Sequence, residues 1–205
     1  MQKGVFITFE GIDGVGKSTQ ARMLKEALIA KGIEVLLTFE PGATNIGRAI
    51  RQVLLNVASK EMAYQTEILL YAADRAQHVK EVIKPTLELG ITVISDRYID
   101  SSIAYQGYGL GWDRQSIIEI NDWASGGIKP DITFCLDLEP QKALLRTKGD
   151  RIESRTLEYH NRVRQGFQAI AEQEPERFHL IPATGSANAI HQKILAILEK
   201  RMGLK

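Results

Sequence analysis

Val5-Phe6-Ile7-Thr8-Phe9, followed by Glu10-Gly11-Ile12-Asp13-Gly14-Val15-Gly16-Lys17-Ser18, is the stretch on which the fold turns. Its first part is a short apolar run of the kind that forms a buried strand. Residues 11–18 satisfy G-x-x-x-x-G-K-[ST] at every required position. Glycines there let successive backbone N–H groups converge on phosphate oxygens, and Gly16 opens a helix whose positive end faces the anion. Lys17 has the reach for β- and γ-phosphates, and the Ser18 hydroxyl suits Mg²⁺. A glycine-rich turn can match so short a pattern by chance. The strand ending just before it and the amphipathic helix starting inside it select the phosphate-binding reading. Gly11, Ile12, Asp13, Gly14, Val15, Gly16, Lys17, Ser18 and Thr19 are thus the expected triphosphate cradle.

Outward from this loop, short apolar runs alternate with segments of helical period, the pattern of a parallel sheet covered by helices. Strands are expected at 5–9, 35–39, 91–95 and 131–136, with a weaker fifth at 177–181. Helices are expected at 17–31, 46–55 and 186–201, with one long helix over 65–88 whose stripe is Ile68, Ala72, Ala76, Val79 and Ile83. Residues 99–113 and 147–155 lack periodicity and are expected to be loops, where function tends to sit.

The 205 residues fit one domain better than two, and 44% hydrophobic with 25% charged residues excludes a disordered tail or disulfide-dense scaffold. A formal net charge of +1 supplies no global field for nucleic acid or anionic membrane, so a bound anion needs a built site. Cys135 is the only cysteine and cannot close an intramolecular disulfide. Met1-Gln2-Lys3 leads straight into the first strand without a secretory pattern, and no apolar run approaches the ~20 residues of a membrane span. The expectation is a soluble, cytoplasmic protein that contacts neither nucleic acid nor membrane.

A phosphate loop leaves the reaction open. A guanine reader would need Asn-Lys-x-Asp, and no Asn-Lys pair occurs. A motor-type ATPase would end an apolar strand in two acids, the second polarising water. Here the third strand ends in Asp96-Arg97-Tyr98. Asp96 is placed to hold Mg²⁺, directly or through water, and Arg97 to bind a second phosphate bidentately. A buried Asp–Arg structural pair is the alternative.

With these residues in view the chain resembles the thymidylate kinases, through nearly its whole length and in collinear order. The resemblance rests on residues 9–19, Glu40-Pro41-Gly42, Tyr71-Ala72-Ala73-Asp74-Arg75, Asp96-Arg97-Tyr98, Ser102-x-x-Tyr105-Gln106 and Asp150-Arg151-Ile152-Glu153. It implies a doubly wound five-stranded parallel sheet of order 2-3-1-4-5, a single kinase domain over 1–205 with a lid near 147–155, and a homodimer. It implies ATP with Mg²⁺, held by Ser18 and Asp96, and dTMP as acceptor. By the same resemblance Tyr71 stacks on the base, Arg75 reads its carbonyl, and Ser102, Tyr105 and Gln106 line base and sugar. Asp13 reaches the 3′-hydroxyl, and Arg51 and Arg97 bind the acceptor phosphate. Tyr71 and Arg75 are four apart, on one helical face, where a cation–π pair is the plainer reading. For Arg51 a solvated helix charge is the plainer one.

Some relatives carry a catalytic arginine where this chain has Gly14 and Val15, so the transition-state cation is expected from the run Arg146, Lys148, Arg151, Arg155, with Arg151 the first choice. Phe39 and Ala43 depart from the usual Arg and Gly around Glu-Pro-Gly. A phosphate nucleophile needs no general base, and His78, His160, His179 and His191 form no motif with an acid or nucleophile. The expected catalytic set is Lys17, Asp96, Arg97 and Arg151. Two rivals stay open: a deoxynucleoside or other small nucleotide kinase, with Glu40 as base for a hydroxyl acceptor, and a non-catalytic ATP-binding regulator.

Overall fold

In a computed structural model, residues 4–147 and 149–202 are described. Five strands, β1 (Phe6–Glu10), β2 (Val35–Phe39), β3 (Thr92–Asp96), β4 (Ile132–Asp137) and β5 (Phe178–Pro182), form one sheet of order β2-β3-β1-β4-β5. Every neighbouring pair is parallel, as the alternation and the resemblance predict. β1 is buried along its length, and β3 and β4 all but their last residue, while β2 and β5 at the edges keep exposed positions. Near-continuous apolar runs are what strands covered on both faces require.

The pleat sends alternate residues to opposite faces. Ile7 and Ile94, paired in register, belong to the larger core with α1 (Lys17–Ala30), α8 (Leu157–Gln173) and α9 (Ala187–Met202), through Leu24, Leu28, Val163, Phe167, Ile194 and Leu198. Phe6 and Val93 face the other side and pack with Val79, Ile83, Leu87 and Tyr98. All crossovers bring the chain back parallel, so the C-terminal strand ends Glu10, Phe39, Asp96 and Asp137 share one edge of the sheet, where open α/β folds bind ligands.

Three helical expectations need correction. The long helix at 65–88 is three pieces, α3 (Tyr64–His78), a π-turn over Val79–Ile83 and α4 (Lys84–Glu88). Pro85 has no N–H to donate and crowds the carbonyl one turn back, and the wider turn accommodates both effects. The segment 99–113, expected as a loop, is helical over most of its length: α5 (Ile99–Ser102) continues as a π-helix over Ile103–Gly109. Its residues Ala104, Tyr105, Gln106, Gly107 and Gly109 are all buried, so it shows no polar stripe for periodicity to reveal. Two long helices are absent from the sequence reading. These are α6 (Arg114–Ser125), capped by Asp113 accepting from Ser116 N and stopped by left-handed Gly126, and α8, capped by Thr156 accepting from Tyr159 N. The remaining helices are α2 (Asn45–Leu55) and the short α7 (Pro140–Leu144). Among the described residues no helix is long and apolar enough to cross a membrane.

Candidate active site

The phosphate loop leaves β1 through three glycines with positive φ, Gly11 at 125°, Gly14 at 81° and Gly16 at 101°. Two also lack room for a side chain: a Cβ on Gly11 would lie 2.4 Å from Leu136 O, and one on Gly14 2.0 Å from Ala143 O. An arginine at position 14 is therefore excluded by sterics as well as by sequence. No side chain caps α1, so its first N–H groups stay available to an anion. Lys17 is buried and donates from Nζ to Ile12 O at 2.8 Å. Burial, then the nearby Arg97, pushes its ammonium pKa down against the pull of Asp13, Asp96 and Glu10. Across the cleft the Ser18 hydroxyl donates to Asp96 Oδ2 at 2.5 Å. Two oxygens in contact at the base of an anion cradle are the donor chemistry that a hard cation such as Mg²⁺ takes, so the residues fit that ion.

Arg97 is the strained residue of the site, non-glycine with φ 75°. Its N–H donates to Phe9 O at 2.9 Å and its carbonyl accepts from Ser95 Oγ at 2.8 Å. The next residue is held by Glu10, which accepts from Tyr98 N at 2.8 Å and from Ser101 Oγ at 2.5 Å. Burial, then Asp100, pushes the Glu10 carboxyl up to about 8. This clamp turns the Arg97 guanidinium onto the phosphate loop. It donates to Gly11 O at 3.1 Å, Ser101 Oγ at 3.0 Å, Asp13 Oδ1 at 2.5 Å and Tyr105 OH at 3.2 Å. The Tyr105 hydroxyl in turn donates to Asp13 Oδ2 at 3.1 Å. Burial alone would raise the Asp13 pKa, but Arg97 and Lys17 outweigh it and hold the carboxyl well below the usual range.

Two cavities meet at this clamp. One, about 1170 Å³, follows the phosphate loop and is lined by Lys17, Ser18, Asp96 and Arg146. The other, about 550 Å³, lies between α3 and the α5 segment and is lined by Tyr71, Arg75, Ser102, Tyr105 and Gln106. Asp13, Glu40, Arg51 and Arg97 line both. Arg51 donates from Nη1 to Pro41 O at 2.8 Å, beside the Gly42 turn whose φ of 115° needs glycine.

Behind the second cavity lies a buried polar layer that sequence reasoning missed. Each nitrogen of Arg75 meets a protein acceptor. Nε donates to Glu40 Oε2 at 3.0 Å, Nη1 to Ser102 Oγ at 3.0 Å and to Asn121 Oδ1, and Nη2 to Tyr98 O at 2.9 Å. Glu40 also meets His78 Nδ1 at 2.9 Å, and His78 Nε2 meets Thr38 Oγ1 at 2.7 Å. Both carboxylate oxygens of Glu40 are thus engaged, which leaves it poorly placed as a general base for a hydroxyl acceptor. Asp74 accepts from Gly42 N at 2.9 Å, and burial, then Glu40, pushes its carboxyl up to about 6. The sequence signal for this layer was faint: polar residues on the inward face of α3, at Glu67, Asp74, Arg75 and His78.

The structure places Arg151 away from the phosphate loop. Its Nε donates to Leu54 O at 2.6 Å, its backbone N–H to Leu55 O, and its Nη2 lies 2.7 Å from Glu67 Oε2. A guanidinium is well matched to the free carbonyls that end α2. Asp150 and Glu153 accept backbone N–H groups of the same turn, from Ile152 and Glu153 at 2.8 Å and from Gly149 at 2.6 Å, so the segment braces itself. Lys148 lies outside the described residues. Among the described arginines of this run, Arg146 is the one lining the phosphate-loop cleft, with Nη1 3.5 Å from Gly14 O.

The family model described as thymidylate kinase matches residues 9–194. Thymidylate kinase of Exiguobacterium sp. (strain ATCC BAA-1283 / AT1b) is 48% identical, over 97% of this chain and 96% of that protein. That of Halothermothrix orenii is 48% identical, over 94% and 95%. The crystal structure of thymidylate kinase from Ehrlichia chaffeensis superposes with a TM-score of 0.79 at 37% identity, covering 96% of this chain and 99% of that one. Sheet order, phosphate loop and similarity along nearly the entire length agree, and the chain belongs to the thymidylate kinase family.

Proposed function

We propose that this chain transfers the γ-phosphoryl group of ATP to dTMP, giving ADP and dTDP. The observation that carries the reading is the shared wall of the two cavities, where Arg51 and Arg97 face both the phosphate-loop cleft and the acceptor cavity. Two cations at that boundary suit two phosphates brought end to end. The nucleophile is an acceptor phosphate oxygen that is already ionised, so the reaction needs positioning and charge neutralisation rather than a base.

Lys17 and the N-terminus of α1 hold the donor phosphates. Arg97 and Arg51 hold the acceptor phosphate, and Arg146 is the arginine best placed to meet negative charge at the donor end. Ser18 and Asp96 would hold Mg²⁺, which when bound neutralises phosphate oxygens. Tyr71 stacks on the base, Asp13 takes the 3′-hydroxyl, and Tyr105 fills the space of a 2′-hydroxyl. With [γ-³²P]ATP and dTMP, label is expected in dTDP. Label found in inorganic phosphate would contradict the transfer.

The functional unit is a homodimer. A set of exposed apolar side chains lies on the neighbouring helices α2, α3 and α6, with Val53 49%, Leu69 58% and Trp123 83% exposed. A second copy supplies the apolar surface that would cover it. Light scattering on Trp123→Asp is expected to read monomer where the parent chain reads dimer, and a monomeric parent would contradict this.

A further inference from the structure

Glu67 lies inside the protein on α3, one turn before Tyr71, and is 0% exposed. Its two oxygens have different partners. Oε2 takes the guanidiniums of Arg151 at 2.7 Å and Arg155 at 2.6 Å. Oε1 takes the side-chain amide of Gln106, whose Nε2 donates at 3.0 Å. The two arginines hold Oε2, and the remaining oxygen, Oε1, then fixes the amide. Ionised, Glu67 has only acceptors to offer, so turning Gln106 over would set two oxygens against each other at hydrogen-bond distance. Gln106 lines the acceptor cavity, and with its nitrogen committed to Glu67 the amide oxygen is the group left for a ligand.

We propose that Glu67 is a specificity-determining positioning residue, which locks the Gln106 amide so that the base pocket presents an acceptor. The inference rests on the dTMP reading above. An acceptor at that position matches a pyrimidine whose ring N3 carries hydrogen, as in thymine or uracil. Cytosine offers a lone pair at N3 and meets the oxygen with repulsion. Discrimination between the bases is thereby set by a residue in the layer behind the ligand. Arg151 and Arg155 belong to the same device, since they orient the carboxylate.

The test compares kcat/KM for dTMP and dCMP in the parent chain, in Glu67→Gln and in the exchanged pair Glu67→Gln/Gln106→Glu. In Glu67→Gln the two arginines hold the residue 67 amide oxygen, so its nitrogen faces Gln106 and turns that amide over, leaving a donor toward the base. The dTMP-to-dCMP ratio is expected to fall at least about tenfold. The exchanged pair restores an acceptor toward the base, because the residue 67 amide donates to the new carboxylate, and is expected to recover most of the ratio. Equal losses for both acceptors in Glu67→Gln, or a ratio that stays unchanged, would overturn the proposal. Where Glu67→Gln fails to fold, the exchanged pair is read alone: a retained ratio supports the proposal and a lost one overturns it. A parent chain that phosphorylates dCMP as well as dTMP contradicts the acceptor assignment itself. A selective parent with an unchanged variant ratio contradicts only the part given to Glu67.

Discussion

Arg97 Nη2 lies 2.5 Å from Asp13 Oδ1, so the cation between the two cavities is anchored to the loop that cradles the donor phosphates. The contact ties the walls of the two cavities into one unit, with Tyr105 closing the triangle through its bonds to both partners. Positioning of this kind is where phosphoryl transfer draws its rate.

Replacing Arg97 by alanine removes the clamp at its centre. Steady-state kinetics of Arg97→Ala are expected to show kcat/KM for dTMP reduced by about 10²–10³-fold, roughly 3–4 kcal/mol, with ATP affinity largely retained. Unchanged kinetics would remove Arg97 from the mechanism.

Arg146 and Arg151 are predicted to separate by phenotype. Arg151→Ala leaves Glu67 with one guanidinium and frees the last carbonyls of α2, and is expected to lower unfolding stability by about 3 kcal/mol in urea titrations. Arg146→Ala is expected to leave that midpoint in place and to lower kcat by about 10²-fold or more. The reverse pattern would return the transition-state role to Arg151.

Asp74 gives a pH dependence with a definite sign. Its folded-state carboxyl, at about 6, lies above the ordinary 3.8, so its contribution to stability is complete below pH 3.8 and is lost as pH rises through 6. Asp74→Asn keeps an acceptor for Gly42 N and has no charge to bury. Between pH 5 and 8 the variant is expected to gain on the parent by about 1.4 kcal/mol in unfolding free energy. A difference that does not vary with pH would contradict the shift.

The sheet was legible because its strands are short, apolar and punctuated by glycine, and the phosphate loop because its spacing is dictated by the anion. Arg97 was legible from the acid–cation pair that ends the third strand and Tyr105 through resemblance, but the clamp that Glu10 and Ser101 build around Arg97 was not. That clamp joins residues 91 positions apart, and nothing local to Glu10 distinguishes it from any strand-ending acid. Arg151 was misplaced for a related reason. A basic run reads as one surface, yet Arg146 lines the phosphate cleft while Arg151 is pulled inward by Glu67 and the end of α2. The α5 segment was hidden because burial of most of its residues leaves little of the periodicity by which helices are recognised.

The most direct measurement is ADP release with ATP·Mg²⁺ and, in separate reactions, dTMP, dUMP, UMP, CMP, AMP and thymidine. Turnover strongly favouring dTMP is the predicted result, and it would support phosphate as nucleophile together with the base pocket of Tyr71 and Gln106. Preference for thymidine, or no turnover with any acceptor, would contradict it.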